Sequence, residues 1–265
     1  MLIIKKLEDP DEIKKLSIVE SKTWGTNDIV PHHIYIAGKF IGGVLLGAYV
    51  DEELVGYVFG LPAIYEGKVC HYSHQLAVIP KYRNMGIGAK LKLKQREECI
   101  AKGLDLIIWT FDPLQGLNAY FNIRKLSVIA RTYLVNHYGY LDDEINKNLP
   151  TDRLLAEWWI KSNWVKNRLD GKGPYYSEVK NLVIHVNNYT PTRVIYDIDE
   201  DCISIPIPLR IGEIRNQDPQ LAIKWRLILR EAMLHYIKGK GYTVVDFVKS
   251  EKLGYYILLR NFEIR

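Results

Sequence analysis

The pattern of apolar and polar positions changes period several times along the chain. Leu2 to Leu7 is a short apolar-rich run that predicts a strand, and Asp9-Pro10-Asp11 then breaks it. Ile13, Leu16 and Val19 fall at helical spacing. Gly43 to Val50 and Leu54 to Ile64 read as two strands joined by the polar turn Asp51-Glu52-Glu53. Val69 to Ile79 predicts a third long strand, ended by Pro80. A helix is expected from about Gly86 to Lys102, stopping at Gly103. Leu104 to Phe111 predicts a strand closed by Asp112-Pro113, followed by a helix around Asn118 to Leu126 and a strand around Arg131 to Tyr138. The result is a mostly antiparallel sheet with one strand–helix–strand crossover in its middle.

The second half carries fewer signals. Pro150-Thr151-Asp152 reads as a helix start, with Leu154, Leu155, Trp158 and Trp159 following. Arg168 to Pro174 reads as a loop, and short strands alternate with turns from Leu182 to Leu209. One long helix is clear: Asp218 can cap it, Pro219 sits in its first turn, and Leu221, Trp225, Ile228, Leu229, Ala232, Met233 and Tyr236 repeat at three and four. Thr243 to Val248 and Tyr255 to Arg260 predict two terminal strands. Domains are expected at 1–148 and 149–265.

Composition narrows the class. The 265 residues are 48% hydrophobic and 25% charged, which is globular usage. The net charge of +5 comes without any block of five like charges, so the sequence does not present the clustered basic face of a nucleic-acid binder. Cys70, Cys99 and Cys202 form no C-x-x-C and support neither a disulfide framework nor a zinc knuckle. The most apolar stretch, Phe40 to Val50, is far shorter than the roughly 20 residues that span a bilayer. A soluble cytoplasmic setting is expected, with no membrane or nucleic-acid partner.

Several common chemistries are excluded. The Gly-Lys pairs at Gly38, Gly67, Gly171 and Gly239 lack the following Ser or Thr of a P-loop. After Gly86 and Gly88, the place of a third dinucleotide-binding glycine holds Leu91. His71 and His74 lie three apart on a strand, so they point to opposite faces and no metal is expected there.

The informative segment is Gln75-Leu76-Ala77-Val78-Ile79-Pro80-Lys81-Tyr82-Arg83-Asn84-Met85-Gly86-Ile87-Gly88-Ala89-Lys90-Leu91. It reads as a strand, a proline stop, a basic turn and two glycines opening a helix. Glycines there let the backbone approach a ligand closely and leave the first N–H groups free. Those donors and the positive end of the helix dipole favour an anion such as a pyrophosphate. Lys81, Arg83 and Lys90 add positive charge.

The stretch Arg83-Asn84-Met85-Gly86-Ile87-Gly88, preceded by Val78-x-Pro80, resembles the acyl-coenzyme A signature (R/Q)-x-x-G-x-(G/A) of the GNAT acyltransferase superfamily. The resemblance covers about residues 1 to 145. The longer chain is similar to a group of GNAT acyltransferases with a C-terminal extension, through Trp109-Thr110-Phe111-Asp112-Pro113-Leu114, Asn118-Ala119 and Asp152-Arg153. The resemblance implies an α+β fold, a mixed and mostly antiparallel central sheet flanked by helices, with a smaller α/β C-terminal extension that closes the substrate side or builds a homodimer. It implies acetyl-CoA or another acyl-CoA as co-substrate. The amides of Asn84, Met85, Gly86, Ile87, Gly88 and Ala89, beside Arg83, would hold its pyrophosphate, and Leu76, Ala77 and Val78 would pair with its pantetheine arm. The strand around Ile107 to Phe111 would splay away and leave a notch for the thioester. A main-chain N–H near Leu76 to Val78 would face the oxyanion. Asn118 and Asn122 would contact the pantetheine amides or the substrate. The implied reaction moves an acyl group, acetyl by default, to a primary amine of a small molecule or peptide.

The acid and base are where the sequence departs from the family. Many members place a Glu just before the coenzyme-binding strand segment, and His74 stands at that position, where a histidine can take a proton near neutral pH. Glu66 and His71 are further candidates. The tyrosine that usually protonates the leaving thiolate is replaced by Ile123, and the usual glycine by Ser127. Tyr120, one turn before Ile123, can supply the hydroxyl, with Tyr138 as a substitute and Tyr133 also at hand. The alternative is a non-catalytic acyl-CoA-binding module on the same scaffold. In the second half, Asp152-Arg153 and Trp225-Arg226 read as ion-pairing and packing groups, or as an arginine that meets an anionic substrate group.

Overall fold

The computed structural model describes residues 1–25, 29–139 and 149–264. They form two compact units, Met1–Trp109 and Thr110–Arg265.

In the first unit, β1 (Leu2–Lys6), β2 (Val44–Val50), β3 (Glu53–Tyr65) and β4 (Lys68–Val78) are neighbours in that order and antiparallel. The β2–β3 turn is tight because Asp51 and Glu52 both take positive φ, 47° and 66°. Helix α1 (Pro10–Lys14) starts at Asp9, whose side chain accepts from the Asp11 N–H, and α2 (Leu16–Trp24) and α3 (His32–Phe40) follow. Helix α4 (Ile87–Ala101) makes the crossover to β5 (Leu106–Phe111), which runs parallel to β4. The buried positions of α4 are Ile87, Leu91, Lys92, Gln95 and Cys99, one face at helical spacing. Gly103, at φ +83°, turns the chain out of the helix where a left-handed residue is needed. The sequence predicts all of these elements except α3. Its His32–Phe40 segment lacks the regular apolar period and buries Tyr35 and Gly38 instead.

The second unit begins with α5 (Gly116–Ala119), which continues through a wide helical turn at Tyr120–Lys125. Its strands are β6 (Ile129–Leu134), β7 (Arg153–Trp159), β8 (Ile184–Asn187), β9 (Thr190–Val194), β10 (Cys202–Pro208), β11 (Tyr242–Lys249) and β12 (Leu253–Arg260). Their order is β7-β6-β11-β12-β10, all antiparallel, with β8 and β9 as a separate hairpin. Helices α6 (Asn163–Leu169), α7 (Ile211–Gln217) and α8 (Pro219–Met233) complete it. Asp218 caps α8 by accepting from the Leu221 N–H, and the predicted stripe, including Trp225, Leu229, Ala232 and Met233, is buried.

Two sequence expectations fail here. The helix expected after Pro150 is strand β7. Residues Arg153–Trp158 are all buried, so the strand shows no two-residue alternation, and its apolar run mimics a buried helix. Asp152 is not a cap; it is buried and bonded to side chains of other elements. The strand expected from Arg131 to Tyr138 ends at Leu134, which leaves Tyr138 in a turn. The expected domain boundary at 148/149 falls at the edge of residues outside the described ones. Among the described residues, no helix is long and apolar enough to cross a membrane.

Candidate functional site

The site starts from the direction in which β4 turns its main chain. The Ile79 N–H donates to Val55 O at 2.9 Å, so Ile79 faces β3. The register Gly56↔Val78, Tyr57↔Ala77 and Val58↔Leu76 is unbroken. The two-residue period of a strand therefore turns the N–H and C=O of Val78 and Leu76 away from β3, and those of Ala77 toward it. On that outer side the pairing with β5 falls at His71↔Ile107 and Tyr72↔Ile108. Leu76 and Val78 thus turn their main-chain groups to this outer side, beyond the two residues of β4 that pair with β5.

One residue of β4 is extra. Phe59 pairs with Gln75 and Gly60 with Ser73, so His74 sits in a β-bulge, opposite no residue of β3. The bulge aims His74 outward. Its ring is exposed, with Phe59 at 6.4 Å and Tyr72 at 6.1 Å between centroids.

After β4 the chain makes a single 3-10 turn, Pro80–Tyr82, and then the glycine loop. Asn84 at φ +64° and Gly86 at φ +76° curl it into an exposed cradle. The first intrahelical bond of α4 is Lys90 N–H to Gly86 O, at 3.1 Å. The N–H groups of Ile87, Gly88 and Ala89 have no acceptor within the helix and stand at its positive end. Arg83 does more than add charge, because its Nε donates to Val78 O at 3.1 Å and ties the cradle back to the outward-facing strand segment.

Two buried polar clusters flank β4. On the α4 side, Lys92 Nζ donates to Ser73 Oγ at 2.9 Å and to Gln95 Oε1 at 3.2 Å, and lies 3.6 Å from the Trp109 ring centroid. Burial pushes Lys92 down to about 7. The same burial, with Lys92 and Lys102 nearby, pushes His71 down to about 3, and Gln95 Nε2 lies 3.1 Å from His71 Nε2. His71 is therefore a neutral core histidine and not an exposed base. Glu66 lies on the exposed β3–β4 turn at φ +48°.

The second cluster was not foreseen. Glu20 on α2 is fully buried and accepts from the Val30 N–H at 2.9 Å, from Tyr57 Oη at 2.8 Å and from Tyr35 Oη. Both tyrosine hydroxyls also reach the Gln75 amide, directly after the bulge. The sequence held one signal: Glu20 lies four and seven residues after Leu16 and Ile13, an acid on an apolar stripe.

The remaining predicted residues belong to the second unit. Asn122 is buried and its Nδ2 donates to Asn118 Oδ1 at 3.3 Å. Tyr120 is half-buried with Lys249 Nζ 3.9 Å from its ring centroid, while Ile123 is fully buried as core. Tyr138 is exposed and its hydroxyl lies 2.8 Å from Thr110 Oγ1. Tyr133 is committed to structure: its hydroxyl donates to Asp152 Oδ2 at 2.7 Å, and burial raises it well above the usual phenol range. Arg230 holds Asp152 through two bonds of 2.8 Å, and Arg226 holds Asp112 at 2.7 Å. These arginines are ion-pairing groups within the unit. Among the described residues, no group of three His, Cys, Asp or Glu is placed to hold a metal ion.

Residues 16–122 match the model of the acetyltransferase (GNAT) family. No curated protein matches the chain. Among solved structures, the chain is similar to the ribosomal-protein-S18-alanine N-acetyltransferase of Escherichia coli, at 13% identity and a TM-score of 0.49, over 60% of this chain and 94% of that one. It is also similar to Arabidopsis thaliana Naa50 in complex with the bisubstrate analogue CoA-Ac-MVNAL, at 18% identity and 0.47, over 59% and 97%. A third is Ard1 of Thermoplasma volcanium, at 14% identity and 0.47, over 59% and 95%.

Proposed function

We propose that this chain, whose residues 16–122 are a GNAT acetyltransferase domain, transfers an acyl group from acyl-coenzyme A to a primary amine. The observation that carries the reading is the outward-facing Leu76–Val78 segment leading into the Gly86 cradle, with Arg83 bonded to Val78 O between them. The cradle amides and the α4 N-terminus hold the pyrophosphate. The main chain of Leu76 and Val78 pairs with the pantetheine amides. An N–H of one of these two, and not that of Ala77, faces the developing oxyanion.

The amine nitrogen attacks the thioester carbon and the C–S bond then breaks. An alkylamine with a pKa near 10.4 is neutral in only about one part in a few thousand at pH 7, so a base is useful. His74, exposed on the bulge, takes the proton that nitrogen sheds. Tyr120 gives its proton to the leaving thiolate, with Tyr138 as the substitute. Asn118 and Asn122 contact the pantetheine or the substrate. Residues 149–265 form an extension that closes the substrate side or pairs two copies, and the protein works in the cytoplasm. The acyl group is acetyl by default.

The second reading is an acyl-CoA-binding module without chemistry, and the buried Ile123 in place of the family tyrosine favours it. A thioester-consumption assay with putrescine, lysine and an alanine-initiated peptide separates the two. Acyl transfer reports the enzyme, and turnover lost in His74→Ala and Tyr120→Phe assigns the base and the acid. Tight acetyl-CoA binding without transfer to any of the three favours the module.

A further inference from the structure

The wide helical turn Tyr120–Lys125 carries two of the candidate residues, Tyr120 and Asn122, and strand β11 holds it at two points. Near the end of the turn, Arg124 Nη1 donates to Asp246 Oδ2 at 2.8 Å. Asp246 is fully buried. Its oxygens also accept from Arg168 Nη1 at 3.0 Å and from the Tyr176 and Phe247 N–H groups at 2.8 Å each. A carboxylate with four donors is fixed in place, and a buried charge so bonded is tolerated. Arg124 is therefore anchored, and the end of the turn with it. At the start of the turn, Lys249, three residues beyond Asp246, places its Nζ 3.9 Å from the centroid of the Tyr120 ring. An ammonium is drawn to a ring face by the negative charge of the π cloud.

Among the described residues the Lys249 ammonium makes no hydrogen bond and no ion pair, so it brings its full charge to the ring. A cation over a phenol is held weakly while the hydroxyl keeps its proton. Once that proton leaves, the oxygen is negative, and the attraction grows from charge and quadrupole to charge and charge. The arrangement therefore favours the moment of proton loss over the ground state, which is what acceleration requires. We propose that Lys249 is a positioning residue for the acyl transfer: it holds the Tyr120 ring and keeps a positive charge beside the hydroxyl as the thiolate leaves. The inference rests on the acyl-transfer reading and adds a residue of the extension to it. In the step concerned, the C–S bond breaks and its electron pair goes to sulfur. The Tyr120 hydroxyl proton passes to that sulfur, and the phenolate regains a proton from water.

The test uses the full chain with acetyl-coenzyme A and, in turn, putrescine, lysine and an alanine-initiated peptide. Lys249→Met is expected to lower kcat and kcat/KM for acetyl-coenzyme A equally, by about tenfold, the mark of an interaction made only in the transition state. Lys249→Arg is expected to recover most of that loss, because a guanidinium also sits on an aromatic face. Tyr120→Phe keeps the ring and lacks the proton, so adding Lys249→Met to it is expected to cost nothing further. Lys249 is exposed, so Lys249→Met is expected to melt where the wild type does. A lower melting temperature would assign the loss to folding and overturn the role. With 13C at the lysine ε-carbons, the Lys249 signal, identified by its absence in Lys249→Met, is expected upfield of the other lysines, and among them in Tyr120→Leu. An unshifted signal in the wild type overturns the geometry. Unchanged turnover in Lys249→Met, or an equal loss in the Tyr120→Phe background, overturns the role and leaves acyl transfer standing. No transfer to any of the three amines by the wild type overturns the acyl-transfer reading, and the role with it, even with the signal shifted.

Discussion

The Arg83 guanidinium donates to the main-chain oxygen of Val78 across 3.1 Å, joining the end of one strand to the start of the glycine cradle. Val78 faces away from β3, so the bond fixes the place where a bound thioester arm would meet the phosphate site. Arg83→Leu removes both the tie and a positive charge. We expect acetyl-coenzyme A affinity to fall about tenfold, or about 1.4 kcal/mol, in calorimetry. Arg83→Lys should recover the charge and only part of the affinity, because a point charge lacks the fixed guanidinium geometry.

Gly86 is required for its backbone and not for space. A Cβ there would meet nothing within 4 Å, yet φ is +76°. Gly86→Ala puts an L-residue in the left-handed region, at a cost of about 1–2 kcal/mol. The expected result is a lower midpoint in urea unfolding together with weaker acetyl-coenzyme A binding. An unchanged midpoint would contradict the strain argument.

Lys92 makes stability depend on pH in a defined window. Its folded value is about 7 against 10.5 in an unfolded chain. Between those values the unfolded state binds more protons, so stability rises with pH from about 7 to 10.5 and is lost on descending through that range. His71 acts the same way lower down, with stability lost as pH falls from 6.5 toward about 3. In Lys92→Met the slope between pH 7 and 10 should flatten in thermal melts, whatever the absolute change in Tm.

The ion pair between Asp112 and Arg226 is buried on both sides, and Arg226 Nε and Nη1 have no hydrogen-bond partner among the described residues. Asp112→Asn leaves a buried guanidinium without its counter-charge. The expected loss is about 3–5 kcal/mol in denaturant unfolding, the range for breaking one side of a buried pair. A loss under about 1 kcal/mol would mean that the pair is screened as a surface pair is.

Much of this was legible in the chain. The polar turn Asp51-Glu52-Glu53, the Pro80 stop and the glycines at 86 and 88 are local signals, and local signals decide strand ends and helix starts. Strand β7 was misread because a strand buried on both faces loses its period. The outward turn of Leu76 and Val78 depends on register, and register is set by the partner strand. The Glu20 cluster gathers residues 20, 35, 57 and 75 from α2, α3, β3 and β4, and no spacing along the chain announces such a meeting. The tyrosine sought near Ile123 could not be settled from spacing either, since Ile123 is core and Tyr120 and Tyr138 are both at hand.

The central claim is that the segment from Leu76 to Ala89 holds an acyl-coenzyme A. The most direct measurement is calorimetric titration of the full chain with acetyl-coenzyme A, succinyl-coenzyme A and coenzyme A, beside Gly86→Trp. The account predicts a micromolar Kd, about −8 kcal/mol, for at least one thioester, and loss of that binding in the variant. No binding of any of the three by the wild type, or equal binding by Gly86→Trp, would contradict it.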